Sequence, residues 1–263
     1  MYAFEYQRVK SVADAAAALA RSGGKALAGG QSLVGAMKLR LANPGTVVDL
    51  SGIAELKGIK KDGDAIVIGA LTTHAEVASS AAVKQAIPAL AALAEGIGDR
   101  QVRNRGTLGG SLANNDPAAD YPAAVLALGA TVHTNKRKIA ADDFFKGMYE
   151  TALAADEIIT AVSFPVPKKA AYVKFPQPAS RFALVGVFVA QAGGGVRVAV
   201  TGAASHVHRA AAIETALAKS FTPDAAKAVK IPAGQLNNDL HGSAEYRAHL
   251  VSVLAARAVA AAG

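Results

Sequence analysis

Two pairs of adjacent glycines constrain the folding of this chain more than any other feature of its sequence. The first pair is Gly29 and Gly30, in the stretch KALAGGQSL, and the second is Gly109 and Gly110, in RNRGTLGGSLANNDPAADYP. Glycine lacks a Cβ atom and tolerates positive φ, so a glycine pair lets the backbone pass close to a ligand. Successive N–H groups of such a turn can then converge on one anion.

A serine hydroxyl adds a donor after each pair, from Ser32 and from Ser111. Turns and helix caps also use Gly-Gly-Ser sequences, so either stretch alone could be purely structural. Two such stretches in one chain fit a ligand that carries two phosphates. The glycine pairs therefore predict a pyrophosphate site.

The chain contains no cysteine among its 263 residues. It can form no disulfide, no cysteine-ligated zinc site, no cysteine-held iron–sulfur cluster and no thiol nucleophile. Any redox chemistry must therefore come from a bound organic cofactor.

The charge balance is basic, with 28 Lys and Arg against 20 Asp and Glu, a net charge of +8. The basic residues are scattered and aromatic residues make up only 5% of the chain, which argues against a nucleic-acid role. No apolar run is long enough to span a membrane, and the first residues lack the pattern of a secretion signal. We therefore expect a cytoplasmic protein without a membrane span.

The pattern around the first glycine pair predicts an alternation of helices and strands. Ser11 can cap a helix that Gly23 ends, and NPG at residues 43–45 stops the helix after the glycine pair. The fingerprint G-x-G-x-x-G is absent, which excludes a Rossmann dinucleotide site. The predicted elements are a helix at 11–21, a strand at 25–28, a helix at 33–41 and a strand at 46–50.

The rest of the chain mixes strands and helices without regular alternation, which favours the α+β class. A linker with two prolines, SFPVPKK, suggests a domain boundary near residue 170. The predicted elements are a strand at 65–70, a helix at 88–96, a hairpin that turns at 193–195, and helices near 208–219 and 243–262.

A polar segment follows the second glycine pair and contains Asn114, Asn115, Asp116, Asp120 and Tyr121. Its polarity predicts an exposed loop rather than core. Asn and Asp are common turn formers, so their role could be structural. A ribityl or ribose hydroxyl chain would also need acceptors of this kind.

The segments LAGGQSLVGAMKLRLANPGTVVDLSGI and RNRGTLGGSLANNDPAADYPA resemble the two FAD signature segments of the medium, flavin-binding subunits of molybdenum hydroxylases. The similarity extends to DEIITAVSFP and GAASHVHRAAAIETAL, and the carbon monoxide dehydrogenase type is the most similar. The resemblance implies a two-part FAD-binding domain of the vanillyl-alcohol-oxidase (PCMH) type at residues 1–169, divided near residue 55. A small α+β domain of the carbon monoxide dehydrogenase flavoprotein type would follow at residues 170–263.

The resemblance also implies a function in electron transfer. A chain of this family binds FAD non-covalently and receives electrons from 2Fe–2S clusters on a small subunit. These clusters are reduced by a large molybdopterin subunit, which oxidises the substrate. The flavin then reduces an external acceptor, which could be quinone, NAD or oxygen. We expect a dimer of heterotrimers in which this chain has no catalytic side chain and no metal of its own.

The implied FAD contacts fall in both glycine segments and at two positions further along the chain. Ser111 stands where many relatives carry Asn, and the stretch after Lys174, FPQPASRF, departs from the usual polar sequence. Asp120 would contact the polyol or the ring edge, and Ile159 and Lys174 would lie near the isoalloxazine. The predicted FAD-binding residues are Ala28, Gly29, Gly30, Gln31, Ser32, Leu33, Thr107, Gly109, Gly110, Ser111, Asn114, Asp120, Ile159 and Lys174.

Two other functions stay open on the sequence. One is a stand-alone flavin oxidoreductase that acts on a small molecule, although about ninety residues after the linker leave little room for a substrate domain. The other is a non-catalytic assembly protein whose glycines are structural and whose basic surface docks an acidic partner.

Overall fold

The computed structural model describes residues 1–263, and the chain begins with a three-stranded parallel sheet in the order β1-β3-β2. Ser11 caps the first helix by accepting a hydrogen bond from the N–H of Asp14, and Gly23 ends it with a φ of +59°. The elements are β1 (Glu5–Arg8), α1 (Val12–Ser22), β2 (Lys25–Leu27), α2 (Leu33–Lys38) and β3 (Thr46–Asp49). A 3₁₀ turn at Ala54–Leu56 leads out of this part of the chain.

A five-stranded antiparallel sheet in the order β4-β5-β10-β6-β7 forms the centre of the molecule. Its strands are β4 (Ile59–Asp62), β5 (Ala65–Gly69), β6 (Thr131–Thr134), β7 (Lys138–Ala140) and β10 (Ile159–Pro165). The strands β8 (Phe145–Gly147) and β9 (Glu150–Thr151) pair separately as a short hairpin.

Seven helices belong to this central part, and all of them except α6 share one apolar cluster with one face of the sheet. The side chains of Ile66, Ile68, Val132, Val162 and Phe164 alternate along the strands and are buried in that cluster. The helices are α3 (His74–Ser79), α4 (Ala81–Ala86), α5 (Pro88–Glu95), α6 (Arg100–Arg105), α7 (Leu108–Asn114), α8 (Tyr121–Ala127) and α9 (Ala141–Phe144).

The last part of the chain is a four-stranded antiparallel sheet with three helices. Helix α12 packs on β11 and β12, and none of the helices in the molecule is long and apolar enough to cross a membrane. The elements are β11 (Lys169–Pro176), β12 (Ala183–Ala192), β13 (Gly195–Thr201), β14 (His208–Arg209), α10 (Ala211–Lys219), α11 (Pro223–Lys227) and α12 (Ala244–Ala261).

The mixed helix and strand composition agrees with the sequence prediction, and two of the predicted helices differ at their ends. The helix predicted to reach Leu41 ends at Lys38, because Arg40 takes a φ of +61° and Leu41 folds back to donate to the carbonyl of Ala36. His208, predicted at the start of a helix, lies in β14, and that helix begins three residues later.

Candidate functional site

The two glycine pairs lie against each other in the folded chain. A Cβ atom at position 29 would lie 1.9 Å from the carbonyl oxygen of Arg105, so only glycine fits there. A Cβ atom at Gly110 would lie 3.6 Å from the Cβ of Ala28. The turn before α2 and the turn before α7 therefore form one continuous surface, although about eighty residues separate them.

The first glycine pair presents a row of free backbone donors. None of the N–H groups from Gly29 to Ser32 donates a hydrogen bond within the chain, and the hydroxyl of Ser32 does not cap α2. Gly30 has a φ of +77°, a conformation that L-residues rarely adopt. Gln31 and Ser32 are exposed. Adjacent N–H groups that lack an internal acceptor suit a phosphate group.

The second glycine pair uses its backbone donors differently. The N–H of Gly109 donates to the carbonyl of Ala70 at 2.8 Å, and the N–H of Gly110 donates to the side chain of Thr107 at 3.1 Å. A Cβ atom at position 109 would also lie 2.6 Å from the Cβ of Ala70. This pair thus allows close packing, and the hydroxyls of Thr107, which only accepts a hydrogen bond, and of the half-buried Ser111 remain as free donors.

Asp120 and Lys174 meet in a buried ion pair at the start of α8. The ammonium of Lys174 donates to the carboxylate of Asp120 at 3.1 Å and to the carbonyl of Gly96 at 2.9 Å. The hydroxyl of Tyr172 donates to the other carboxylate oxygen. Burial raises the pKa of Asp120, whereas the charge of Lys174 and the two hydrogen bonds act to lower it.

The sequence analysis did not include Tyr172 in the site. Tyr172 and Lys174 stand two residues apart in β11, a spacing that places both side chains on the same face of a strand. The alternation in AYVKFP was therefore the signal that could have identified Tyr172.

The polar segment after α7 is not an exposed loop, contrary to the sequence prediction. Asn115 is fully buried with a φ of +44°, and its amide donates to the carbonyls of Gly147 and Glu150, both at 2.8 Å. Asp120 and Tyr121 are buried as well. The amide nitrogen of Asn115 and the carboxylate of Asp120 have partners within the chain, whereas Oδ1 of Asn115 and the hydroxyl of Tyr121 have none. Asn114, at the end of α7, stays half-exposed.

Ile159 belongs to the core at the start of β10, where its side chain is buried in the main apolar cluster. The carbonyl of the next residue, Thr160, accepts a hydrogen bond from Ala70 at 3.0 Å. Ala70 is also the residue that packs against Gly109. Ile159 is therefore connected to the second glycine pair through two intervening residues, Thr160 and Ala70.

A buried histidine, His74, packs against the turn before α7. His74 lies close to Gly106, where a Cβ atom would be 2.5 Å from Nε2 of the imidazole. Burial, with the charge of Arg103, lowers the pKa of His74 to about 4, so the ring is neutral at pH 7. Its ring centroid lies 5.3 Å from that of Tyr121. The neutral rings of His74 and Tyr121 thus pack together beside the turn before α7.

Arg103 holds the turn that follows α5. Its guanidinium donates to the carbonyls of Ile97 and Gly98 at 3.0 and 3.1 Å. Lys174 donates to Gly96 in the same turn, so the turn is tied both to α6 and to the buried ion pair. No sequence pattern indicates these contacts, because the acceptors are backbone carbonyls.

A cleft of about 410 Å³ opens between the polar segment, the loop after β11 and the carboxyl-terminal part of the chain. Its walls include Asp116 and Gln177, and the buried Arg247, which donates to the carboxylate of Asp239. Residues 116–118 and 177–180 stand close in sequence to Asp120 and Lys174. None of the predicted FAD-binding residues lines this cleft.

Comparison with known proteins agrees with these features. The family model described as FAD binding domain in molybdopterin dehydrogenase matches residues 2–167. The chain is 39% identical to the nicotine 6-hydroxylase medium subunit of Paenarthrobacter nicotinovorans, covering 99% of this chain and 98% of the relative. It is 36% identical to the carbon monoxide dehydrogenase medium chain of Hydrogenophaga pseudoflava, covering 98% and 96%.

A solved structure shows the same fold. The carbon monoxide dehydrogenase from Hydrogenophaga pseudoflava that lacks the Mo-pyranopterin moiety superposes with a TM-score of 0.89 at 36% identity, over 99% of this chain and 97% of that chain. With a matching family model over most of its length and relatives similar from end to end, the chain belongs to the family of FAD-binding medium subunits of molybdopterin-dependent dehydrogenases.

Proposed function

We propose that this chain binds one FAD non-covalently and transfers electrons as the medium subunit of a molybdenum hydroxylase. The observation that carries the proposal is the row of unpartnered N–H donors from Gly29 to Ser32, packed against a second glycine turn. Free donors in a turn that only glycine can form are suited to a pyrophosphate. A soluble partner-docking protein without a cofactor would have no need of them.

The residues of the first turn would hold the pyrophosphate of FAD. Backbone N–H groups from Gly29 to Ser32 and the hydroxyl of Ser32 are its donors, with Ala28 and Leu33 on either side. The second turn supports it through Gly109 and Gly110 and adds the hydroxyls of Thr107 and Ser111. Hydrogen bonds to a charged acceptor are worth about 1.5 to 3 kcal/mol each, so four or five of them hold the cofactor without an arginine.

Asp120, Lys174 and Ile159 would shape the ring end of the site, with Asn114 as a polar group toward the ribityl chain. The bound flavin supplies the capacity to accept and release electrons. The ion pair of Asp120 and Lys174, held by Tyr172, would place a positive and a negative charge at defined positions near the flavin. Such fixed charges tune a reduction potential and do not themselves react with substrate.

The organisation of the complex is inferred from the family. We assign residues 1–169, divided near residue 55, to an FAD-binding domain of the PCMH type, and residues 170–263 to a carboxyl-terminal domain. The apolar cluster formed only by residues beyond 170 supports this division. The partners would be a small subunit with 2Fe–2S clusters and a large molybdopterin subunit in a dimer of heterotrimers. The cytoplasmic location and the external acceptor stay predictions.

The substrate would be selected on the large subunit rather than on this chain. The two curated relatives described above act, by their names, on nicotine and on carbon monoxide, yet they are similar to this chain to nearly the same degree. A subunit common to such different substrates is suited to electron transfer.

The first experiment is an absorbance spectrum of the purified chain, with the released cofactor identified by mass. We expect one FAD per chain in the wild type. Replacing Ser32 by Asp places a carboxylate among the free N–H groups, and like-charge repulsion should lower FAD affinity at least about tenfold. Ser205→Asp adds the same charge at another exposed serine and should leave FAD content unchanged.

A colourless wild-type chain that takes up no added FAD would overturn the proposed function. Retention of full FAD affinity in the Ser32→Asp variant would overturn the assignment of the pyrophosphate to the first turn. A flavoprotein that oxidises a small molecule without any partner would favour the stand-alone oxidoreductase instead.

A further inference from the structure

The cleft of about 410 Å³ between the polar segment, the loop after β11 and the carboxyl-terminal part of the chain has no ligand in the proposed function. Its volume lies in the range of small-molecule sites. Its walls come from residues 116–118, from residues 177–184 and from side chains near the start of α12. We call it the Gln177 cleft.

The Gln177 cleft shares two chain segments with the proposed ring end of the FAD site. Asp120 follows the first wall segment after one residue, and Lys174 precedes the second by two. The hydroxyl of Thr201, in β13, fixes the first wall segment by donating to the carbonyls of Pro117 and Ala119 at 3.0 and 2.7 Å. A ligand in the cleft therefore lies beside the segments that carry the Asp120–Lys174 ion pair.

The cleft contains a single Lys or Arg side chain, and its donors are already used within the chain. Arg247 donates from Nη1 to the carbonyls of Leu184 and Gly202, and from Nη2 to both carboxylate oxygens of Asp239. Its Nε is buried away from solvent. No guanidinium or ammonium is therefore free to bind an anionic ligand there.

Asp116 leaves a carboxylate without a counter-charge in the cleft. Its oxygens accept hydrogen bonds from a backbone N–H at 2.9 Å and from the hydroxyl of Tyr149 at 3.2 Å, and neither donor is charged. Because Arg247 balances Asp239, the lining has two carboxylates against one guanidinium when His241 is neutral. The pyrophosphate of a dinucleotide would meet repulsion in such a cleft.

The backbone of the cleft offers little to an anion either. Four of its N–H groups donate within the chain, namely those of Ala118, Ala179, Ser180 and Gly202. The first glycine turn is different, because its N–H groups from Gly29 to Ser32 are free. The turn therefore suits a pyrophosphate, whereas the cleft suits an uncharged ligand.

The carboxamide of Gln177 supplies a neutral donor at a fixed position. Its Oε1 accepts from the N–H groups of Ala179 and Ser180 at 2.6 and 2.8 Å, and from the hydroxyl of Ser180 at 3.3 Å. These bonds fix the orientation of the amide and leave its NH₂ group without an acceptor in the chain. An amide NH₂ group suits a carbonyl oxygen of a ligand.

Two exposed aromatic rings stand at the cleft. Phe182 is 48% exposed and belongs to its lining. Tyr149 is 59% exposed and is held at the wall by its bond to Asp116. Its φ of +56° is rare for a bulky residue. Exposed rings beside a cleft favour a planar aromatic ligand.

We propose that the Gln177 cleft binds the oxidant of the flavin, and that this oxidant is an uncharged quinone rather than a nicotinamide dinucleotide. The inference rests on the proposed function, which supplies the reduced flavin. The quinone takes up two electrons from the reduced flavin and two protons from the flavin and solvent, so both of its carbonyl oxygens become hydroxyls of a quinol. The NH₂ group of Gln177 donates to one carbonyl oxygen, and Phe182 packs against the ring. Dioxygen would need no cleft of this size.

The test uses the full-length chain with FAD bound and measures binding of duroquinone by titration calorimetry, without turnover. Phe182→Ala should weaken binding about three- to tenfold, as the loss of an aromatic pair does. Phe4→Ala is the matched control, because Phe4 is 38% exposed and does not line the cleft. It should bind duroquinone like the wild type.

Gln177→Glu tests the donor while keeping the loop. The new carboxylate can still accept the N–H groups of Ala179 and Ser180, but it has no NH₂ group to donate to a quinone. Duroquinone binding should weaken at least about tenfold, because a carbonyl oxygen then faces an acceptor instead of a donor. FAD content and melting temperature should equal those of the wild type, and this variant decides the question if Phe182→Ala does not fold.

Selection by charge is tested with NAD on the same samples. The wild type should bind NAD at least about tenfold more weakly than duroquinone, and its reduced flavin should be reoxidised faster by duroquinone than by NAD. Asp116→Asn removes the unbalanced charge and keeps an acceptor for the backbone N–H. This variant should bind NAD more tightly than the wild type does, with duroquinone binding unchanged.

The outcomes separate the quinone site from the proposed function. A wild-type chain without FAD would contradict the proposed function, whereas an FAD-containing chain that binds no duroquinone would overturn the quinone site alone. The site would also be wrong if Phe182→Ala and Gln177→Glu both bind duroquinone like the wild type. Tighter binding of NAD than of duroquinone by the wild type would overturn the choice of oxidant.

Discussion

Asp120 places a carboxylate in the interior of this molecule, next to the ammonium of Lys174. Its side chain is 5% exposed and that of Lys174 is 14% exposed. Removing two charges from water costs free energy, and the loss is recovered only when geometry and hydrogen bonds are good. Tyr172 and the carbonyl of Gly96 provide the additional bonds. The folded chain therefore tolerates the complete ion pair, whereas removal of either residue alone should destabilise the fold.

We predict that Lys174→Met destabilises the chain by about 2–4 kcal/mol, because it leaves the Asp120 carboxylate buried without its counter-charge. The pKa of Asp120, already raised by burial, should rise further, so the destabilisation should grow as pH rises from the ordinary pKa of an aspartate to the raised pKa of Asp120 and should level off above it. Urea unfolding at several pH values measures both effects.

Lys136→Met is the control for Lys174→Met, because Lys136 forms an ion pair with Asp156 in which both side chains remain substantially exposed. Its loss should cost less than about 1 kcal/mol. Equal effects of the two lysine variants would show that burial of the Asp120–Lys174 pair has no energetic consequence. Asp120→Asn combined with Lys174→Met should recover part of the lost stability.

At the scale of elements, the turns before α2 and α7 are constrained by each other. Gly29 in the first turn lies against the carbonyl of Arg105 in the second, and Gly109 lies against Ala70 at the end of β5. Neither approach tolerates a side chain. The relative position of the two helices therefore depends on glycine at both places.

We predict that Gly29→Ala separates the two turns, because its methyl group would lie 1.9 Å from a carbonyl oxygen that cannot move independently. The cost should be about 1–3 kcal/mol, as for overpacking in a core, and FAD content should fall. Flavin absorbance and urea unfolding of the same samples measure the two consequences.

Gly35→Ala is the matched control within α2. No atom lies within 4 Å of the position that its Cβ would occupy, and the backbone is helical. Alanine is preferred to glycine in a helix by about 1 kcal/mol, so this variant should be as stable as the wild type or more so. Comparable losses in both variants would contradict the close contact between the turns.

At the scale of the whole molecule, β12 joins the central and carboxyl-terminal parts. Phe188 and Ala190 point into the main apolar cluster, whereas Val187 and Val189 point into the cluster beneath α12. Strand alternation thus contributes one side of β12 to each core. Arg197 adds a polar link by donating to the carbonyl of Leu126 and to the carboxylate of Asp142.

We predict that the chain unfolds in one cooperative transition, because neither of the two larger apolar clusters is complete without β12. Phe188→Ala should cost about 3–5 kcal/mol and Val187→Ala should cost less, since it removes fewer buried atoms. Both should shift the same calorimetric peak, with equal calorimetric and van't Hoff enthalpies. Two resolved peaks, each moved by only one variant, would contradict the prediction.

Local sequence signals determined many of the elements and the family. Ser11 and Gly23 mark both ends of α1, residues 46–49 form the predicted strand, and the predicted hairpin turns between Ala192 and Gly195. These features depend on neighbouring residues, so they can be inferred without tertiary contacts. The glycine segments likewise identified the family of the chain from sequence alone.

Only the tertiary structure decided which polar groups stay free and which are used internally. The two glycine turns differ in this respect because Thr107 and Ala70 accept the N–H groups of the second turn, whereas no residue accepts those of the first. Asn115 is buried because two distant carbonyls accept its amide protons. Whether a buried polar group forms a hydrogen bond depends on partners that are distant in the sequence. These partners cannot be inferred from the local sequence pattern.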